Sequence, residues 1–274
     1  MRDMTLGQYF PGQSVIHRLD PRAKIILTIL LIVALFLAKN VFCFALLTLF
    51  CLILILVSGI PIRTVLRGIR PIRYVLIFTA ILNIFWTRGE GDPLISFWVI
   101  RIYREGLYSA GLIALRVLLM IVGSSIFLSY TTSPILLTDA LESLLTPLRW
   151  LHVPVHMFAM MMSIALRFIP TLIEETEKIM NAQKARGVDF SNGSIVKRAK
   201  SLIPILIPLL VSAFKRAGDL ATAMECRCYR GGTGRTKLHK LSFGLRDACS
   251  LLLTVALLVA VILGNRYIPI GFSL

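Results

Sequence analysis

Charge is scarce in this sequence, and acid is scarcer still. Only 16% of the residues are Asp, Glu, Lys or Arg, and 14 acids stand against 30 bases. Soluble domains carry about 25% charged residues, so the composition points away from a soluble fold. Acids are too sparse inside the apolar runs for a proton relay. The histidines, His17, His152, His156 and His239, form no catalytic set. The five cysteines are Cys43, Cys51, Cys226, Cys228 and Cys249. Their number is odd and three lie in apolar runs, which argues against a disulfide framework. The first 20 residues hold no apolar core, so no cleavable signal peptide is expected and the first membrane helix would serve as the signal.

What is abundant is apolar surface. The apolar fraction is 57%, against about 45–50% in soluble domains, and the mean hydropathy is +0.80. A membrane helix needs about 20 mostly apolar residues. Five candidates appear, at residues 25–38, 41–60, 74–87, 106–130 and 248–264. The first two are too long together for one crossing, so a sharp turn is expected at Lys39-Asn40, with the lysine snorkelling to the interface. The spacing predicts an all-α membrane protein with about five spans.

Basic and neutral connections alternate. The N-terminal segment carries Arg2, Arg18, Arg22 and Lys24, and the second connection carries Arg63, Arg67, Arg70 and Arg73 with no acid. Residues 131–246 hold 16 basic and 8 acidic residues. On the other side stand Lys39, then a balanced connection with Arg88, Arg101 and Arg104 against Glu90, Asp92 and Glu105. This is the positive-inside pattern, and it predicts a cytoplasmic N-terminus and an outer C-terminus. It also accounts for the net charge of +16 without a nucleic-acid partner.

The chain therefore divides into an N-terminal four-helix membrane region (1–130), a cytoplasmic region (131–246) and a C-terminal membrane helix (247–274). The middle region is expected to hold long amphipathic helices at 134–151, 153–185 and 194–228, the last bent by Pro204 and Pro208. Residues 153–170 are apolar enough to be mistaken for a span. Arg167, His152 and His156 favour a surface or partner-facing helix there.

Within this region the sequence echoes itself. Ala182-Gln183-Lys184-Ala185-Arg186-Gly187 ends one helix and Ala223-Met224-Glu225-Cys226-Arg227-Cys228 ends the next. The shared form is Ala-x-charged-small-Arg-small. Gly187 and the pair Gly231-Gly232 read as the stop signals. Each arginine could simply cap its helix, where the dipole favours it. The repetition favours docking: an arginine flanked by small residues can enter an acidic pocket on a partner with two similar sites. Near the N-terminus, Asp20 before Pro21 reads as a helix N-cap with proline at the first helical position.

Other features carry less. Gly231-Gly232-Thr233-Gly234-Arg235-Thr236-Lys237 lacks Gly-Lys-[Ser/Thr] and follows no strand pattern, so it reads as a loop and not a phosphate site. Cys226 and Cys228 lack a third metal ligand nearby. No metal or other cofactor is expected. Arg116 lies inside the fourth span, either paired or facing a partner, or snorkelling to the interface.

These residues resemble one family over essentially the whole chain. Leu19-Asp20-Pro21-Arg22-x-Lys24, the Ala185-Arg186-Gly187 tip and Ala223-Met224-Glu225-Cys226-Arg227-Cys228-Tyr229 are similar to the T component, the transmembrane coupling subunit, of energy-coupling-factor (ECF) transporters. That family typically has two Ala-Arg-Gly tips; here the second keeps only the arginine. The resemblance implies a non-enzymatic subunit of a prokaryotic cell membrane importer. Its tips, Ala185-Arg186-Gly187 and Cys226-Arg227-Cys228, would sit in two ABC-type ATPase subunits, as a homo- or heterodimer. The inner region would cradle a substrate-binding membrane S component, with a vitamin or transition-metal ion as cargo. A stand-alone secondary transporter or channel is the alternative. For the topology, a cysteine placed at Ser273 is expected to label from outside intact cells and one at Asn192 only after permeabilisation; the reverse pattern would contradict it.

Overall fold

The computed structural model describes residues 9–86, 95–97, 100–188, 190, 194–231 and 241–267. The charged residues of 88–92 and the loop from Gly232 to Lys237 fall outside these, as do Thr87, Asn192 and Ser273. Nine α-helices are found among the described residues: α1 (Pro21–Leu37), α2 (Val41–Ser58), α3 (Ile62–Ile69), α4 (Arg73–Trp86), α5 (Arg104–Ser124), α6 (Pro134–Leu144), α7 (Val155–Ala185), α8 (Ile195–Cys226) and α9 (Leu245–Tyr267). A short antiparallel hairpin, β1 (Ile95–Phe97) and β2 (Ile100–Ile102), pairs Ile95 with Ile102. The protein is an all-α membrane protein. Among the described residues, six stretches are long and apolar enough to cross a membrane: Val41–Ser58, Ile62–Phe85, Gly106–Tyr130, Val155–Ala185, Lys200–Cys226 and Leu245–Tyr267. At 17 residues α1 is near the lower limit for a span, about 17 residues.

The chain forms two compact units, residues 1–140 with 240–274, and residues 141–239. In the first, α5 packs against α1, α2 and α4, and α9 closes on α1 and α2. Leu27, Leu31 and Leu35 of α1, Phe44 and Leu47 of α2, Leu119 of α5 and Val261 of α9 are buried together. A side chain at Gly123 would collide with Leu31, so glycine lets α5 lie close to α1. The outward faces are equally apolar: Ile29, Val33 and Phe36 of α1 and Leu49, Leu52, Ile53 and Leu56 of α2 are exposed. Such continuous apolar surface is untenable in water and ordinary against lipid.

The turn between α1 and α2 falls at Ala38–Asn40, as the Lys39-Asn40 interruption predicts. The second basic connection, in contrast, is helical. Arg63 and Arg67 lie on α3, and a 3-10 turn at Arg70–Ile72 runs directly into α4. Arginine is a good helix former, and Pro71 stands in the first turn of the 3-10 segment, where proline is tolerated. Residues 134–151 form α6 and then a separate 3-10 turn, Thr146–Leu151.

A buried polar knot holds the first unit together at one end. Asp20 caps α1, its carboxylate accepting the Arg22 amide at 2.8 Å, with Pro21 in the first turn. Asp247, in the first turn of α9, accepts the Gly244 amide at 2.8 Å through one oxygen and the Asp20 amide at 2.7 Å through the other. One carboxylate thus satisfies donors at the start of two helices, where the dipole favours it. Lys24 is buried one turn further on, and its ammonium donates to the Thr131 carbonyl at 2.8 Å and to Thr132 Oγ1 at 3.2 Å. Asp247 and Asp20 supply the opposing charge. The threonines are presented by a π-helical stretch, Ser125–Tyr130, that ends α5. Both threonine hydroxyls donate back to the Phe127 carbonyl at 3.0 Å.

Removing one member of a buried charge cluster costs about 3–5 kcal/mol. Asp247→Ala is expected to cost that much, because it orphans two amides and leaves Lys24 buried. Lys24→Met is expected to cost less, since Asp247 keeps both of its amide donors. Thermal unfolding of the purified variants in mild detergent checks the order, and an equal or reversed order would contradict it.

Candidate functional site

The two arginine tips are built alike. In α7, Arg186 is the C-cap residue and Gly187 follows with φ +87°. The Gly187 amide donates to the Lys184 carbonyl at 2.9 Å and the Val188 amide to the Gln183 carbonyl at 3.1 Å. This pair of bonds defines a Schellman cap. At the end of α8 the Cys228 amide donates to the Glu225 carbonyl at 2.8 Å and the Tyr229 amide to the Met224 carbonyl at 3.0 Å. The same cap recurs, 41 residues on, with Arg227 in the place of Arg186. Cys228 takes the glycine's role with φ +54°. The helix therefore stops at Cys228 and not at Gly231-Gly232. A non-glycine residue at that angle is uncommon, which is why sequence alone pointed to the glycines.

Arg186 and Arg227 are exposed, as are Ala185, Gly187, Cys226 and Cys228. Neither guanidinium makes a hydrogen bond or ion pair among the described residues. Each tip is a cation at a helix C-terminus with small or unbranched neighbours, free to meet an anionic surface. The tips end different helices of the second unit, so they are two separate points.

Behind the tips, α7 and α8 pack on each other. Glu175 of α7 and Arg216 of α8 form an ion pair at 2.9 Å. His156, at the start of α7, meets Glu142 of α6 at 2.9 Å. The outer face of α8 is a stripe of exposed apolar side chains, including Leu202, Leu206, Leu210 and Phe214, and Met157, Phe158 and Met161 are exposed on α7. None of these contacts was readable beforehand, since ion pairs between helices leave no local spacing signal.

Arg116 belongs to the first unit. Its Nη2 donates to the Ala38 carbonyl at 2.7 Å, and the guanidinium stacks 5.4 Å from the centre of the Phe44 ring. Asn265 of α9 donates to the adjacent Leu37 carbonyl at 2.6 Å and accepts the Lys39 amide at 3.2 Å. The last carbonyls of a helix have no partner within it. Arg116 and Asn265 supply partners for α1 and hold the α1–α2 turn. Among the described residues, no group of three His, Cys, Asp or Glu side chains is placed to hold a metal ion.

The caps make a prediction of their own. A left-handed non-glycine residue costs about 1–2 kcal/mol, so Cys228→Gly is expected to firm the second tip. Gly187→Val, which meets open space, is expected to loosen the first through backbone strain alone. Hydrogen exchange at the Tyr229 and Val188 amides checks this, with slower exchange expected in the first variant and faster in the second. No change in either would contradict the caps.

Residues 12–238 match the family of cobalt transport proteins, CbiQ. Relatives of the same length are found among energy-coupling factor transporter transmembrane proteins. One from Ruminiclostridium cellulolyticum is 49% identical over 263 residues, covering 96% of this chain and 97% of the relative. One from Clostridium kluyveri is 48% identical over 265 residues, covering 97% and 98%. One from Bacillus subtilis is 45% identical over 262 residues, covering 96% and 98%. With matches of this extent, the chain belongs to the CbiQ family and, within it, to the transmembrane proteins of energy-coupling factor transporters.

Proposed function

We propose that this chain is the coupling subunit of an ECF-type importer, carrying motion from two ABC-type ATPase subunits to a substrate-binding membrane S component. The observation that carries the reading is the duplicated tip: one backbone cap made twice, each presenting an exposed arginine. A single-site partner would need one. A pair of similar ATPase subunits, identical or not, offers two acidic grooves for two guanidinium groups. Ala185, Gly187, Cys226 and Cys228 would let backbone approach closely on either side of Arg186 and Arg227.

ATP would be bound and hydrolysed on the partners, and this chain would supply the levers. When the ATPases close, the tips move with them, and α7 and α8 carry the displacement as packed rigid helices. Their exposed apolar faces, with the adaptable Met157, Met161 and Met162, are suited to lipid and to the membrane-embedded S component. Tilting or releasing that component would deliver its cargo, a vitamin or metal ion, inward. The tips then lie on the cytoplasmic side of the prokaryotic cell membrane, with the N-terminus on that side and the C-terminus outside. Arg116 is proposed to serve the fold by holding the α1–α2 turn. The buried ions among the described residues, Lys24, Asp20 and Asp247, which a stand-alone transporter could use, are engaged with the chain's own backbone.

Truncating one partner of a buried charge pair at an interface costs about 2–5 kcal/mol. Arg186→Glu with Arg227→Glu, combining two such losses with repulsion, is expected to abolish co-purification of the ATPases and cargo uptake while membrane insertion stays normal. A double variant that keeps its ATPases and transports normally would sink the reading.

A further inference from the structure

The ion pair between α7 and α8 stands in an unexpected relation to the tips. Glu175 and Arg216 are 41 residues apart, the same offset that relates Arg186 to Arg227. Arg186 therefore lies 11 residues beyond Glu175, and Arg227 lies 11 beyond Arg216. At about 1.5 Å per residue, each arginine is roughly 16 Å along its helix from the paired side chains. Equivalent positions of the two echoed helices meet, and they meet equally far from both tips.

The linker sets the sense of the arrangement. From Glu175 the chain runs about 15 Å to the end of α7, and from Ile195 to Arg216 it runs about 32 Å along α8. Parallel helices joined at this contact would leave about 47 Å for the ten peptide steps between Ala185 and Ile195. Those steps reach about 35 Å at most. The helices cannot be parallel, so the two 11-residue arms diverge from the contact.

Local chemistry fixes that contact. Arg216 Nη2 donates to Glu175 at 2.9 Å, and its Nε donates to Ser212 Oγ, one turn back, at 3.4 Å. Of the neighbouring glutamates, Glu174 and Glu177 are exposed while Glu175 is half-buried. Among the less exposed positions of α8, Ile205, Leu209, Ser212, Arg216, Leu220 and Met224 follow a spacing of three and four. Arg216 thus sits in the stripe turned toward α7. An ion pair this accessible, with side-chain exposures of 40% and 21%, adds little to stability. What it does supply is register: sliding either helix by one turn, about 5.4 Å, would part the charges.

We propose that Glu175 and Arg216 form the pivot of a two-armed lever, fixing where α7 and α8 cross so that both arginine tips sit at equal arm length from the crossing. The proposal rests on the coupling reading above and deepens it. Equal arms pass the closing of two ATPase subunits to the crossing without skew. A slipped register would give unequal arms, so that hydrolysis proceeds and the displacement delivered to the substrate-binding component is lost. Glu175 and Arg216 are positioning residues; they touch neither nucleotide nor cargo.

The test uses the whole complex, purified from membranes with its ATPases and substrate-binding subunit and reconstituted in liposomes. Glu175→Arg and Arg216→Glu are made singly and together, and Glu175→Gln removes the charge with little change of shape. ATP hydrolysis and cargo uptake are measured side by side. Each single variant, Glu175→Gln included, is expected to lose about two- to fivefold in uptake per ATP hydrolysed, the range a pair this exposed can hold, while the ATPases remain bound. The double swap, which restores the pair in reverse, is expected to recover most of the uptake. Single variants that transport normally, or a swap no better than its parents, would overturn the pivot. A fall in hydrolysis and uptake by the same factor would also overturn it, by making the pair a matter of stability. Absence of ATPases from the unmutated complex would overturn the coupling reading itself and the pivot with it.

Discussion

A lysine buried in an apolar protein must be met by oxygen, and much of this structure is arranged around meeting Lys24. Its ammonium takes the Thr131 carbonyl and the Thr132 hydroxyl, which the π-helical end of α5 presents. The opposing charge comes from Asp247 and Asp20, which also cap the first turns of α9 and α1. A charge in low dielectric is costly unless its neighbours are complete. The π turn, the two helix starts and the lysine therefore require one another. The chain leaves the first unit after residue 140 and returns at 240, and Thr131 and Asp247 each lie within ten residues of one of those junctions.

At its opposite end the first unit uses the same currency differently. The carbonyls that finish α1 are met by Arg116 and Asn265, from helices distant in sequence. α1 is consequently held at its N-terminus by carboxylates and at its C-terminus by a cation and an amide, the arrangement its dipole favours. Between these ends it is apolar on all sides, half against protein and half toward lipid.

The second unit is organised by repetition. α7 and α8 end in one cap made twice, and the side chains that join them keep the same 41-residue offset. Repetition was legible because the arginines sit in matching small-residue frames. The cap at Asp20-Pro21 and the turn at Lys39-Asn40 were legible too, since proline, asparagine and an interrupting charge act locally. Cys228 was not, because a left-handed cysteine has no distinctive sequence signature, and the nearby glycines offered a more ordinary stop. The helical state of Arg63–Arg73 was obscured by charge, which reads as loop beside a membrane although arginine itself favours helix. The partners of Arg116 and Asp247 were beyond reach: they lie 78 and 227 residues away along the chain, and only the packed fold brings them together. α7 and α8 combine enough length and apolar character to cross a membrane with charged and polar residues, Arg167, His152 and His156 near the start of α7 among them, that suggested a surface helix.

In the proposed complex one copy of this chain holds two ATPases by the tips at Arg186 and Arg227. Native mass spectrometry of the tagged chain, released from its own membranes in mild detergent, tests it most directly. The expected particle contains one copy of this chain, two ATP-binding-cassette subunits and one small hydrophobic membrane protein, whose identity would name the cargo. Recovery of this chain alone, under conditions that preserve comparable complexes, would contradict it and leave both arginines as helix caps.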